Sequence, residues 1–240
     1  MIVAIPSKNR AGKTTTDKVM PSAVLFVPKA ELFDYRRVSN CAVTAVPNDV
    51  RGITQTRNWI LDNCGHDHVV FVDDDHEQAG WIEFHAHNVN YVKMGEGEWL
   101  REFRRLFGIT RQLGYTIFGV NTHGNTGSTY TYKPFRFHTH VTASCMGIVN
   151  DRRKPVRFDE SYPVKEDYEL CLRCIENDGG VVAAQYLYWV NSHWADKGGC
   201  ADYRTQEMED TAIRRLMLRY PKLVRRVTRS NNAYSIELDF

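Results

Sequence analysis

Four apolar residues, Val69-Val70-Phe71-Val72, run straight into three carboxylates, Asp73-Asp74-Asp75. A continuous apolar run of this kind reads as a strand buried on both faces, as in a parallel sheet covered by helices. Adjacent carboxylates are costly to bury without partners, so the strand must meet solvent where the acids begin. Side chains alternate along a strand, which places Asp73 and Asp75 on one side and Asp74 on the other. Two carboxylates aimed together, with oxygen donors only, suit a hard divalent cation such as Mg²⁺ or Mn²⁺. A solvated acidic turn is the competing reading of the same residues.

The neighbouring segments supply the rest of such a sheet. Apolar runs over residues 2–5, 23–27 and 41–46 predict three more strands, with Pro28 and Pro47 closing the last two. Residues 29–35 read as a short helix and residues 49–61 as a longer one. Strand and helix alternate over the first 75 residues, which predicts a parallel, doubly wound sheet. Residues 97–113 place Trp99, Leu100, Phe103, Leu106 and Phe107 on one helical face, with arginines largely opposite. Strands are expected over residues 116–121, 135–141, 141–149 and 181–190, and helices after Glu166-Asp167 and over residues 204–220. No clear period marks the stretch from Asp75 to Glu96. Gly-, Asn- and Ser-rich stretches over 122–131 and 191–200 read as loops.

Composition sets limits. The 240 residues are 42% hydrophobic and 25% charged, enough apolar material for a packed core. No apolar run approaches the roughly 20 residues that span a bilayer, and residues 1–5 lack the cationic start of a signal peptide. A soluble, cytoplasmic protein is expected. The six cysteines are scattered, so reduced thiols are expected. Cys171 and Cys174 form one CxxC inside a helical pattern, without the second pair that a zinc site needs.

Two basic stretches carry information. Residues 6–15 hold Pro6, Ser7, Lys8 and Arg10 in a polar loop at a strand end, where open α/β sheets bind ligands. The loop lacks the first glycine of a P-loop, which argues against a nucleotide hydrolase. Near the C-terminus, Arg214, Arg215, Arg219, Arg225 and Arg226 cluster on and after a helix, a one-signed density that fits a polyanionic partner.

Taken together, these pieces resemble a GT-A glycosyltransferase. Asp73-Asp74-Asp75 matches the DxD motif, Arg57-Asn58 an Arg-Asn on the preceding helix, Glu166-Asp167 the downstream acidic pair, and His193 a late metal ligand. A closer resemblance is to the TET-associated glycosyltransferases of phages. It rests on Ile5-Pro6-Ser7-Lys8-Asn9-Arg10, Val46-Pro47-Asn48-Asp49-Val50-Arg51-Gly52-Ile53, Thr56-Arg57-Asn58-Trp59-Ile60-Leu61 and the Asp73–Asp75 stretch, all in the first third of the chain.

The resemblance implies a single α/β domain of GT-A-like, Rossmann-like type, with a mixed, mostly parallel central sheet flanked by helices. Residues 1–121 would bind the nucleotide sugar, residues 122–203 would carry the acceptor and catalytic half, and residues 204–240 would form a basic helix and tail. It implies transfer of a sugar from a nucleotide-diphosphate donor, a UDP-sugar by preference, to the hydroxyl of 5-hydroxymethylpyrimidines in phage DNA. A protein encoded by a phage would act in the host cytoplasm.

Asp75 and His193 are the expected ligands of Mn²⁺ or Mg²⁺, with Asp73 binding directly, through water, or on the ribose. Pro6, Ser7, Lys8, Arg10, Arg57, Asn58, Asp74 and Lys197 are the expected donor contacts. Asp167 is the expected base, with Glu166 as substitute, and a single base opposite the leaving group implies inversion. The C-terminal arginines would hold the DNA backbone. Three other readings stay open: a glycosyltransferase acting on a glycan, lipid carrier or protein; a nucleotidyltransferase; and a DNA-binding module without catalysis.

Overall fold

The computed structural model describes residues 1–85, 88–122, 133–192, 204–227 and 236–238. The chain begins with β1 (Ile2–Pro6), a single helical turn α1 (Thr16–Val19), β2 (Val24–Pro28), a 3-10 turn leading into α2 (Leu32–Val38), and β3 (Ala42–Val46). It continues through α3 (Gly52–Asn63), β4 (His68–Val72), β5 (His76–His85), β6 (Asn88–Lys93), α4 (Glu96–Gln112) and β7 (Ile117–Asn121). The second half holds β8 (Phe135–Arg136), β9 (Cys145–Val149), α5 (Glu166–Asp178), β10 (Val182–Asn191), α6 (Gln206–Arg219), β11 (Val224–Arg226) and β12 (Ile236–Leu238).

One ten-stranded sheet runs in the order β3-β2-β1-β4-β9-β7-β10-β5-β6, with the short β8 paired to β10. β1 to β4 are mutually parallel, as the alternating first 75 residues predict. β9 enters antiparallel between β4 and β7, which makes the sheet mixed. Helices cover both faces. Trp99, Phe103, Leu106 and Phe107 of α4 and Tyr35 of α2 pack with Val70 and Val72 on one face. Ile60 and Leu61 of α3 and Leu170, Cys171 and Cys174 of α5 pack with Val69 and Phe71 on the other. The alternation along β4 divides its four apolar side chains between two cores, which is why none is polar. Leu172 of α5 joins Ala212 and Leu216 of α6 in a third, smaller cluster.

The fold departs from the sequence reading in three places. The unpatterned stretch after Asp75 is a long hairpin, β5–β6, which forms the far edge of the sheet. The strand expected over 141–149 begins only at Cys145, and residues 141–144 form an irregular wall beside the tri-aspartate turn. The strand expected over 135–141 is two residues long. Cys171 and Cys174 are buried thiols, and Cys171 exchanges hydrogen bonds with the Val141 backbone. No helix among the described residues is long and apolar enough to cross a membrane.

Gly80 marks the closest approach within the hairpin. A Cβ there would stand 1.9 Å from the Val92 carbonyl oxygen, a backbone atom that cannot swing aside. Gly80→Ala is expected to cost about 1–3 kcal/mol, the usual penalty of overpacking, read as a lower denaturant midpoint with an unchanged slope.

Candidate active site

β1 and β4 end side by side, and the loops that leave them interlock. Thr15 and Thr16 fasten the tri-aspartate turn to the first loop: the Thr16 hydroxyl donates to the Asp73 carbonyl at 2.6 Å, and the Thr15 N–H to the Asp74 carbonyl at 2.9 Å. The Asp73 N–H donates to the Ser144 carbonyl at 3.1 Å, which ties the turn to the start of β9. The turn is therefore held by its backbone, and its three carboxylates remain free to differ.

They do differ. Asp74 is buried, accepts a hydrogen bond from the Ser7 hydroxyl, and pairs with Arg10 Nη1 at 2.5 Å. Ser7 is in turn bonded to the buried Tyr35 hydroxyl at 2.7 Å. Asp73 lies toward α3, 3.5 Å from Arg57 Nη2. Asp75 leaves strand geometry and shares Arg10, at 3.3 Å through Oδ2. The strict alternation expected along the motif thus separates Asp73 from Asp74 but does not set Asp75 beside Asp73, because β4 ends at Val72. Burial raises the Asp73 carboxyl above its ordinary range; Arg57 opposes this, while the charges of Asp75, Asp74 and Glu166 add to it.

Arg57 is the hub of the opposite wall. It is 4% exposed, and its guanidinium lies against the rings of Phe71 and Phe158, which also touch each other. Nη1 reaches Glu166 at 2.5 Å and Nη2 the Ala143 carbonyl at 3.4 Å. Glu166 begins α5. Burial, opposed by Arg57 and reinforced by the Asp167 charge, pushes its carboxyl up to about 7. Lys165, just before the helix, adopts a left-handed backbone (φ 61°) without a capping side chain, a conformation that costs a non-glycine residue about 1 kcal/mol. Its ammonium sits 3.4 Å from the fully buried Glu209 of α6 and over the Tyr168 ring. The tail helix thereby braces the start of α5.

Asp167 has a different environment. Its Oδ1 accepts from the Tyr168 N–H at 2.9 Å; its Oδ2 lies 3.4 Å from the Ala143 N–H and 3.3 Å from His140 Nε2. Burial alone would raise this carboxyl, but His140, then Lys165 and Arg57, hold it well below the usual carboxylate range. His140 stacks on Tyr168, with ring centroids 3.7 Å apart and 17° between planes.

The site thus unites Ser7, Arg10, Arg57, Asp73, Asp74, Asp75, Glu166 and Asp167 from the sequence-derived candidates. Pro6 is buried at the end of β1, and Lys8 is exposed. Asn58 is buried and spent on the fold: it exchanges hydrogen bonds with the Phe158 backbone and donates to Glu160. His193 and Lys197 lie outside the described residues. His140, Tyr35, Lys165 and Glu209 were not singled out by the sequence. His140 carried a weak signal, as the second histidine of His138-Thr139-His140 in an alternating stretch, but nothing in its spacing points to Asp167.

The C-terminal arginines are largely engaged. Arg219 reaches buried Glu169 at 3.1 Å, Arg226 reaches Asp210 at 2.7 Å, and Arg215 donates to the Ser161 carbonyl at 2.7 Å. Arg214 donates to the Asp210 carbonyl and the Thr211 hydroxyl on its own helix. Arg225 is exposed on β11. Acidic partners therefore offset much of the one-signed charge read from the sequence.

The donor set accommodates a divalent cation. Asp75 Oδ1 is buried and makes no hydrogen bond, and the adjacent carboxylates repel one another. Mg²⁺-type sites take one or two carboxylates and complete their shell with water and substrate phosphate. Among the described residues, no group of three His, Cys, Asp or Glu side chains is arranged to hold a metal ion.

The mixed α/β fold, a mostly parallel sheet flanked by helices, is shared with solved GT-A glycosyltransferases. Glucosyl-3-phosphoglycerate synthase from Mycobacterium tuberculosis, solved with Mn²⁺, UDP and glucosyl-3-phosphoglycerate, is 12% identical, with a TM-score of 0.55 over 98% of this chain and 85% of that one. The mannosyltransferase PcManGT from Pyrobaculum calidifontis, solved with GDP-Man and Mn²⁺, is 12% identical, with a TM-score of 0.50 over 90% of this chain and 60% of that one. S. aureus TarS residues 1–349, solved with UDP-GlcNAc, is 14% identical over 90% of this chain and 67% of that one, and its TM-score of 0.49 adds nothing to the assignment. No protein-family model matches the sequence, and no curated protein matches it.

Proposed function

We propose that this protein is a metal-dependent glycosyltransferase that moves a sugar from a nucleotide-diphosphate donor, by preference a UDP-sugar, to the hydroxyl of 5-hydroxymethylpyrimidines in DNA, with inversion. The observation that carries the transferase reading is the buried Oδ1 of Asp75, which no protein group satisfies, on a strand-end turn whose Asp73 faces Arg57 and, across it, Glu166. The solved complexes of the two neighbours above with Mn²⁺ and a nucleotide or nucleotide sugar support the donor class.

Asp75 and Asp73 would hold Mn²⁺ or Mg²⁺, with His193 as a further ligand that tilts the choice toward Mn²⁺. When bound, the cation supplies positive charge where the leaving diphosphate develops negative charge. The protein's own groups do the rest. Ser7 and Arg10 fix Asp74, which holds the first loop against the turn. Arg10, Lys8 and Lys197 would meet phosphate oxygens of the donor. Arg57 keeps Glu166 and Asp73 in fixed positions. Asp167 serves the acceptor hydroxyl, and Glu166 is bound to Arg57.

The DNA acceptor rests on the motifs of the first third of the chain and on the exposed arginines of α6 and β11. A protein that grips the phosphate backbone binds in a salt-dependent way with little sequence preference, and a base must leave the stack to reach the donor. The acid pairing of Arg219 and Arg226 favours a second reading, in which the acceptor is a glycan, lipid carrier or protein. Mass spectrometry of hydroxymethylated DNA, beside sugar and protein acceptors, after incubation with a panel of nucleotide sugars decides between them. A hexose mass added to DNA supports the first; addition only to another acceptor overturns it.

Asp167→Asn is expected to retain donor binding and to lose about 10²–10⁴-fold in turnover, the range for removing general-base assistance. Unchanged turnover moves the base elsewhere.

A further inference from the structure

Asp167 is poorly placed to keep a proton that it takes, and Glu166 is committed to another partner. Glu166 is locked to Arg57 at 2.5 Å. Both oxygens of Asp167 already accept hydrogen bonds, Oδ1 from the Tyr168 N–H and Oδ2 from the Ala143 N–H, and His140 Nε2 stands 3.3 Å from Oδ2 at ion-pair distance without a hydrogen bond. A carboxylate so surrounded is a weak base. It is well suited to hold a neighbouring ring in one tautomer and to stabilise its cation, as carboxylates do for catalytic histidines.

His140 is built into that position. Its ring lies flat on Tyr168 at 3.7 Å, which fixes the ring plane. Asp167 Oδ2 lies 3.3 Å from Nε2, so the carboxylate charge stands at one edge of the ring. Its side chain is 17% exposed and that of Asp167 18%, so both reach the surface of the site. The chain that follows His140 forms the catalytic wall itself: the Ala143 carbonyl accepts from Arg57, and the Ser144 carbonyl accepts from the Asp73 N–H. His140 is thus three to four residues from backbone atoms that hold Arg57 and the tri-aspartate turn.

We infer that His140 is the group that receives the acceptor's proton, with Asp167 as the residue that positions it. The inference rests on the sugar-transfer reading above and replaces Asp167 with His140 as the final base. As the bond from the acceptor oxygen to the sugar carbon forms, the bond from that carbon to the diphosphate oxygen breaks, and its electron pair leaves with the nucleoside diphosphate. The hydroxyl proton passes to the ring nitrogen that does not face Asp167. The resulting imidazolium is paired with the Asp167 carboxylate and returns its proton to solvent.

The test measures nucleoside diphosphate released from nucleotide sugars in the presence of Mn²⁺, with and without hydroxymethylated DNA; water serves as acceptor where DNA does not. His140→Gln keeps a side chain of similar reach that cannot take up a proton, and His140→Gly leaves a space for added imidazole. Both are expected to lower kcat about 10²–10⁴-fold with the donor KM within about 3-fold of wild type. Imidazole is expected to restore His140→Gly at least about 10-fold and to leave His140→Gln unchanged. Calorimetric binding of UDP with Mn²⁺ to each variant confirms an intact donor site. Wild-type release with His140→Gln turning over at the wild-type rate overturns the role of His140 alone. No release by the wild type from any donor overturns the transferase reading and this inference with it.

Discussion

Asp75→Ala is expected to lower sugar transfer by about 10³-fold, or about 4 kcal/mol of barrier, while the protein melts within a few degrees of wild type. The asymmetry follows from the contacts of the side chain. Oδ2 meets only Arg10, at 3.3 Å, and Arg10 keeps its 2.5 Å pair with Asp74 after the change. Loss of one partly exposed ion pair costs about 0–1 kcal/mol. The structural duty of Asp75 falls to its backbone, whose carbonyl accepts the Ser192 N–H at 2.9 Å, and alanine keeps that bond. What alanine removes is the buried Oδ1 that no protein group satisfies. Wild-type transfer should also fall in excess chelator and return with Mn²⁺, whereas the residual rate of the variant should respond to neither. Full activity of Asp75→Ala in chelator would remove the cation from the reaction.

Arg57→Ala carries the opposite profile, a loss of stability as well as of turnover. Removing one member of a buried ion pair leaves the other charge stranded, at a cost of about 3–5 kcal/mol. Here Glu166 loses its 2.5 Å partner and the Ala143 carbonyl a donor, and Phe71 and Phe158 lose the guanidinium packed against them. In a chain of this size each kcal/mol moves Tm by about 2–4 °C, so the melting transition should fall by at least about 6 °C. Arg57→Lys should recover little, because an ammonium cannot span Glu166, Asp73 and the Ala143 carbonyl as the planar guanidinium does. A melting temperature within about 2 °C of wild type for Arg57→Ala would show that the pair is not the brace described.

The parallel half of the sheet was legible because each of its strands is apolar on both faces and each helix carries one apolar stripe. The β5–β6 hairpin was not. β5 opens with His76-Glu77-Gln78 and contains Gly80, and the hairpin ends the sheet, so burial leaves only a faint alternation in its sequence. Within the site, Arg57, Asp73, Asp75, Glu166 and Asp167 stood out by residue type and by resemblance. The pairing of Arg57 with Glu166, and of His140 with Asp167, depends on how α3, α5 and the wall before β9 pack, and no local spacing encodes that. The tail misled for a related reason. Its arginines are neighbours in sequence, while two of their acids, Asp159 and Glu169, lie some fifty residues earlier and meet them only through the docking of α6 on α5.

The bond between Arg57 and Glu166 joins residues 109 positions apart, and this has a consequence for how the protein is made. Domains fold as units, and the ribosome delivers about 5–20 residues per second, so Arg57 waits several seconds for its partner to be synthesised. A nascent chain that stops short of Glu166 has a guanidinium that must stay hydrated, which keeps α3 from settling fully against β4. The carboxylates of the tri-aspartate turn therefore acquire their opposite wall only when α5 arrives. Premature termination anywhere before that helix leaves a polypeptide with every residue of the tri-aspartate turn and no competent site.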